Sequence, residues 1–225
     1  ILAILRKNLF ANKNTRIIYT CELPDFFDAE ILRRIYGYKF DLLKVENTSA
    51  ISKFNGSTIF ISQKDDICNF DLRSTIDFSI NIHALLGSIL VVNGEHNESY
   101  ISEIQHVRRR ETIAMTPANS LIALQFLISQ FSIDTNKSNI KTNKTLVLDS
   151  IKAITGTKTK ALVGSSGLSI QYAILMGLIH DALENHKGKA IKIVVPPNCY
   201  GGTNDQARRV AACIDNVEVL DLPVD

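Results

Sequence analysis

Residues 15–21, Thr-Arg-Ile-Ile-Tyr-Thr-Cys, form a short run rich in β-branched and aromatic side chains, and residues 25–36 carry helical spacing that Gly37 ends. Residues 40–45 and 57–62 read as two further strands. The apolar stretch 79–92 reads as a helix followed by a strand. These elements predict a small α/β unit over residues 1–100, with no internal repeat. Residues 95–102 and 133–144 are mostly polar, and the second stretch reads as a mobile loop or linker. Between them lie the basic run Arg108-Arg109-Arg110 and a helix-like segment, 119–131, so residues 101–144 read as a connecting segment.

The pattern changes in the last third. Residues 160–164 are short and apolar and predict a strand; Leu168, Tyr172, Leu175, Met176, Ile179 and Leu183 then recur at helical spacing. Residues 190–195 read as a buried parallel strand that Pro196 and Pro197 stop. A turn over 198–203 follows, with Thr203 or Asn204 as the cap of a helix over 205–213, and residues 217–222 supply a third strand. Residues 145–225 therefore predict β-α-β-α-β with both turns at strand ends, in a mixed, mainly parallel sheet.

Composition narrows the class. The chain has 225 residues, 45% hydrophobic content and a net charge of +2, enough to bury a sizeable core and no footprint for nucleic acid or an anionic membrane. Cys21, Cys68, Cys199 and Cys213 lack CxxC spacing and are too sparse for a disulfide scaffold, so reduced thiols are expected. The longest apolar stretch, 84–92, falls short of a membrane span, and Ile1 to Leu5 is too short for a signal-peptide core. A soluble, cytoplasmic protein is expected. Asp65, Asp66, Asp71 and Asp77 form no metal-ligand pattern and read as a solvated face, so no metal site is expected.

The candidate chemistry lies at the two turns of the last third. A helix starting near Gly167 aims its free N–H groups and the positive end of its dipole beyond the strand, where a phosphate dianion fits. Gly167 lets backbone approach closely, and Ser165, Ser166 and Ser169 add hydroxyls. Taken alone, the segment is also an ordinary Ser/Gly helix cap. It is not a nucleophile elbow, because Leu168 stands where G-x-S-x-G needs its last glycine, and neither G-x-x-x-x-G-K-[ST] nor G-x-G-x-x-G is present.

Ala161-Leu162-Val163-Gly164-Ser165-Ser166-Gly167-Leu168 and, one helix and one strand later, Cys199-Tyr200-Gly201-Gly202-Thr203 together resemble the pyridoxal-phosphate enzymes of cysteine and methionine metabolism. These are the cystathionine γ-synthase, cystathionine lyase and methionine γ-lyase group. The resemblance covers about residues 145–225, with Leu168 where the group usually has Met. It implies the opening part of a fold-type I, aspartate-aminotransferase-like large domain binding pyridoxal 5'-phosphate. It further implies that the amides of Gly167 and Leu168 hold the cofactor phosphate and that Tyr200 stacks on the pyridine ring. A Tyr-x-Arg pair in the group reaches a neighbouring subunit's phosphate; His106-Val107-Arg108 is its nearest match, which makes Arg108 a candidate and implies a homodimer or homotetramer. A solvated basic run is the other reading of that segment.

The same resemblance puts the Schiff-base lysine, the acid paired with the pyridine nitrogen and a phosphate-binding Ser/Thr downstream of the Tyr-Gly-Gly-Thr turn. Thr157-Lys158-Thr159-Lys160 precedes the turn and reads as a polar loop. The chain is therefore expected to be the N-terminal part of a longer polypeptide, with the catalytic lysine and turnover belonging to the whole. The expected activity is that of a transferase or lyase acting on sulfur amino acids by β- or γ-elimination or replacement. A non-catalytic α/β module binding a nucleotide or other phosphorylated ligand is the alternative; the Tyr200 turn favours the enzyme, because a nucleotide site has no particular need of it.

Overall fold

The structure, a computed structural model, describes residues 1–112, 115–129, 140–158 and 160–223. Helix α1, Leu2–Phe10, buries Ala3, Ile4 and Leu5 along with the polar Arg6 and Asn8. The Asn8 amide donates to the Thr15 hydroxyl at 2.7 Å at the start of strand β1, Thr15–Tyr19. Helix α2, Ala29–Arg34, starts at Asp28, whose carboxylate accepts from the Ile31 N–H at 2.9 Å. Strands β2, Asp41–Lys44, β3, Ser57–Gln63, β4, Phe78–His83, and β5, Gly87–Val92, complete a sheet of order β2-β1-β3-β4-β5. β1 is parallel to β2 and β3, β3 is parallel to β4, and β5 closes the sheet antiparallel. The class is α/β, as the pattern predicts, but the mixed sheet expected over residues 145–225 lies instead in residues 15–92.

Residues 79–92 depart from expectation. They form the β4–β5 hairpin, not a helix and a strand. The turn is closed by a side chain: Nδ1 of His83 accepts from the Leu85 and Leu86 N–H groups at 3.2 Å each, and Gly87 follows at φ +116°. Apolar Ala84-Leu85-Leu86 looks helical until that cap is known.

A 3-10 helix, Glu95–Tyr100, leads into helix α3, Ile101–Arg110, which is followed by α4, Pro117–Ser129, and α5, Ile140–Thr155. Residues 140–144 of the expected linker are thus the first turns of α5; residues 133–139 lie outside the described residues. Then come α6, Gly167–Asn185, β6, Ile191–Val195, α7, Gly201–Ala211, and β7, Val217–Asp221. β6 and β7 pair in parallel, with Ile191 opposite Val217. Residues 160–164 are not a strand: they are irregular, and Leu162 and Val163 are 75% and 57% exposed. An apolar run becomes a strand only where an edge accepts its hydrogen bonds, and this one is paired with none among the described residues. The segment expected as β-α-β-α-β is therefore helix, helix, strand, helix, strand.

One apolar cluster lies under the five-stranded sheet, around Ile17, Ile59, Phe78 and Tyr100. A second is shared between the early and late parts of the chain: Ile35 packs with Tyr172, Met176 and Ile179 of α6 and with Val210 and Ile214. The ring of Tyr36 lies 6.0 Å from that of Tyr38 and 6.3 Å from that of Tyr172. Burial pushes the Tyr172 phenol and the Cys213 thiol up from their ordinary values.

Beside this cluster runs a buried charged seam. Arg6 of α1 donates to both carboxylate oxygens of Glu111 at 2.7 and 2.6 Å, with the residues 2% and 5% exposed. Arg209 of α7 donates to Glu111 at 3.2 Å and also pairs with Glu103 of α3. Burial, the largest single influence, disfavours the Arg6 charge, but the hydrogen bonds to Glu111 together with the charge interactions of Tyr38, Glu111 and Cys213 raise the guanidinium above its ordinary value. Among the described residues, no helix is long and apolar enough to cross a membrane.

Candidate phosphate-binding site

The α6 N-terminus is built from its own serines. Ser166 is the N-cap: its hydroxyl accepts from the Ser169 N–H at 3.1 Å while the Ser169 hydroxyl accepts from the Ser166 N–H at 3.0 Å, a reciprocal capping box. This arrangement uses the third N–H of the helix, and the Ile170 N–H goes to the Ser166 carbonyl at 3.1 Å. The N–H groups of Gly167 and Leu168 have no partner among the described residues. A Cβ on Gly167 would meet nothing within 4 Å, so that position has room beside it.

The second turn is built differently. The prolines end β6, the Cys199 N–H closes back on the Pro196 carbonyl at 3.1 Å, and Tyr200 is the N-cap of α7. Its carbonyl accepts from the N–H groups of Thr203 at 2.8 Å and Asn204 at 3.3 Å. The helix therefore starts at Gly201 and not at 205, and neither Thr203 nor Asn204 is its cap. The N–H groups of Gly201 and Gly202 have no partner among the described residues. Tyr200 is 72% exposed, with its ring over Gly202.

The two turns meet. A Cβ on Gly202 would lie 2.7 Å from Cε1 of Tyr200 and 3.0 Å from Cδ1 of Leu168, so the Leu168 side chain, the Tyr200 ring and the Gly202 backbone occupy one small region. The Thr203 hydroxyl donates to Gln171 of α6 at 3.0 Å, and the Gln206 amide donates to the Leu168 carbonyl at 3.0 Å. Gly167, Leu168 and Tyr200 are thus brought together by the fold.

Arg108 is not brought to them. It lies in the last turn of α3 and donates to Gln105 of the same helix at 3.2 and 3.1 Å, with no contact to the α6 or α7 turn among the described residues. Its neighbour His106 approaches Asp205 of α7 with Nε2 and Oδ2 2.7 Å apart. Gln171, Asp205 and Gln206 were invisible as site residues in the sequence, because a polar residue at helical spacing reads as a solvated face until its partner helix is known. The four cysteines are free, and no group of three or more His, Cys, Asp or Glu side chains among the described residues is arranged to hold a metal ion.

Unpaired N–H groups at a helix N-terminus suit an anion, and an exposed aromatic ring suits a planar group attached to one. Comparison with protein-family models, with curated proteins and with solved structures returned no match.

Proposed function

We propose that the α6 and α7 turns bind pyridoxal 5'-phosphate, and that the chain is the cofactor-binding opening part of a fold-type I transferase or lyase of sulfur amino acid metabolism. The observation that supports the reading is that Leu168, whose N–H like that of Gly167 is unpaired among the described residues, and the exposed Tyr200 ring meet over Gly202. The residues fit the group: there is room beside Gly167, and the serine cap leaves the Gly167 and Leu168 N–H groups without a partner among the described residues. In this reading Gly167 and Leu168 bind the phosphate through backbone, so the leucine side chain is free to pack against Gly202. Tyr200 would stack on the pyridine ring. When bound, the cofactor supplies an electron sink for β- or γ-elimination or replacement. Arg108, exposed and tied only within its own helix, is offered to the phosphate of a second copy in a homodimer or homotetramer.

The test is direct titration of the chain with pyridoxal 5'-phosphate, followed by absorbance. Binding is expected, with Tyr200→Ala raising Kd by about tenfold and Tyr200→Phe retaining the parent affinity. A parent chain that leaves the cofactor spectrum unchanged refutes the reading. Displacement of bound cofactor by AMP at comparable concentration favours the nucleotide-binding alternative.

A further inference from the structure

Two glutamines that no motif points to stitch the site together. Gln206 is 1% exposed, and its amide is fully committed. Nε2 donates to the Leu168 carbonyl at 3.0 Å and to the Arg110 carbonyl at 2.8 Å, while Oε1 accepts from Nε2 of Gln171 at 3.0 Å. Oε1 of Gln171 in turn accepts from the Thr203 hydroxyl at 3.0 Å. The hydrogen-bonded path therefore runs from α7 to α6, back to α7 and back to α6. Its two ends are Leu168, a phosphate donor in the reading above, and Thr203, three residues after Tyr200. The amide orientation follows from chemistry: turned over, its oxygen would face two carbonyl oxygens.

Such a network is an expensive way to pack two helices, since an apolar pair would do so without burying an amide. What it adds is a fixed distance and angle between the first turns. We infer that Gln206, with Gln171, is a positioning residue that sets the Leu168 N–H against the Tyr200 ring and so determines how strongly the site prefers phosphorylated over dephosphorylated pyridoxal. This rests on the cofactor reading. Neither glutamine touches the ligand; each acts through the backbone it holds.

The experiment measures Kd for pyridoxal 5'-phosphate and for pyridoxal with the parent chain and with Gln206→Met, which keeps length and loses both donors. The parent should prefer the phosphorylated form. In Gln206→Met the phosphate-bearing ligand should weaken by about fivefold or more while pyridoxal changes by less than about twofold. A purely structural role would weaken both alike. If Gln206→Met gives no cooperative unfolding transition, Gln171→Met breaks the same path at its bonds to Gln206 and Thr203, from a half-buried position, and should shift the ratio of the two constants in the same direction. An unchanged ratio of the two constants in a folded variant, or an equal loss for both ligands, overturns the inference. A parent that binds both forms equally overturns it while leaving the Tyr200 stacking intact, and a parent that binds neither overturns the cofactor reading with it.

Discussion

A methyl group on Gly201 would meet nothing within 4 Å, whereas one on Gly202 would lie 2.7 Å from the Tyr200 ring and 3.0 Å from Leu168. Adjacent glycines of one motif thus have different physical duties. Gly201→Ala should be neutral or stabilising by about 0.4–1 kcal/mol, because it restricts the unfolded chain at a position with no strain to add. Gly202→Ala meets only the outer ends of two side chains, which move aside at small cost to stability. That movement displaces the ring, so Gly202→Ala should keep the parent melting temperature to within a few degrees, a loss of less than about 1 kcal/mol, yet loosen pyridoxal 5'-phosphate. Thermal unfolding beside cofactor titration checks both, and a Gly202→Ala variant with parent affinity would show that Tyr200 is not held by this contact. Tyr200 and the glycines drew attention in the sequence as a break after the prolines, but were read as a turn where the structure starts α7. Gln206 drew none, since nothing local distinguishes a glutamine with three buried partners from one in water.

At the scale of elements, the α6 start near Gly167 was legible in its Ser/Gly composition, while the capping box between Ser166 and Ser169 was read only from the structure. The cap also separates stability from ligand binding. Ser166→Ala removes the acceptor for the Ser169 N–H and should lower stability by about 1 kcal/mol. Ser166→Asp keeps an acceptor and adds a charge that suits the helix dipole, so the chain should remain as stable as the parent. The same carboxylate would stand next to the proposed phosphate and should weaken pyridoxal 5'-phosphate by about tenfold or more while sparing pyridoxal. Equal affinities in Ser166→Asp and parent would place the anion elsewhere. Elements that depend on partners were less legible. Residues 160–164 have a strand's composition but pair with no strand among the described residues, and residues 84–86 have a helix's composition and a histidine that bends them into a hairpin. In both cases the deciding hydrogen bonds are absent from any window of hydropathy.

For the whole molecule, the pattern separates an early α/β unit from a late one, yet the structure joins them through a shared core and the charged seam. Arg6 and Glu111 are 105 positions apart, a separation at which no periodicity carries information. α7 is the element on which the parts converge: Arg209 reaches Glu111 and Glu103, Asp205 meets His106, and Gln206 binds the carbonyl of Arg110. The end of α3 therefore reaches α7 through Arg110, the residue immediately before Glu111. Glu111→Gln would leave Arg6 buried and charged, its nearest remaining carboxylate being Glu103 at 3.6 Å. Leaving a buried charge without its partner costs about 3–5 kcal/mol, a large share of the 5–15 kcal/mol typical of a whole domain. Arg209→Met should cost less, because its side chain is 21% exposed and Arg6 still neutralises Glu111. Urea denaturation should therefore rank the midpoints as parent, then Arg209→Met, then Glu111→Gln. Because Arg110 moves with its neighbour, Glu111→Gln should also weaken pyridoxal 5'-phosphate under conditions where the chain is still folded. A folded Glu111→Gln variant with parent stability and parent affinity would mean that the seam neither holds the two parts together nor reaches the site.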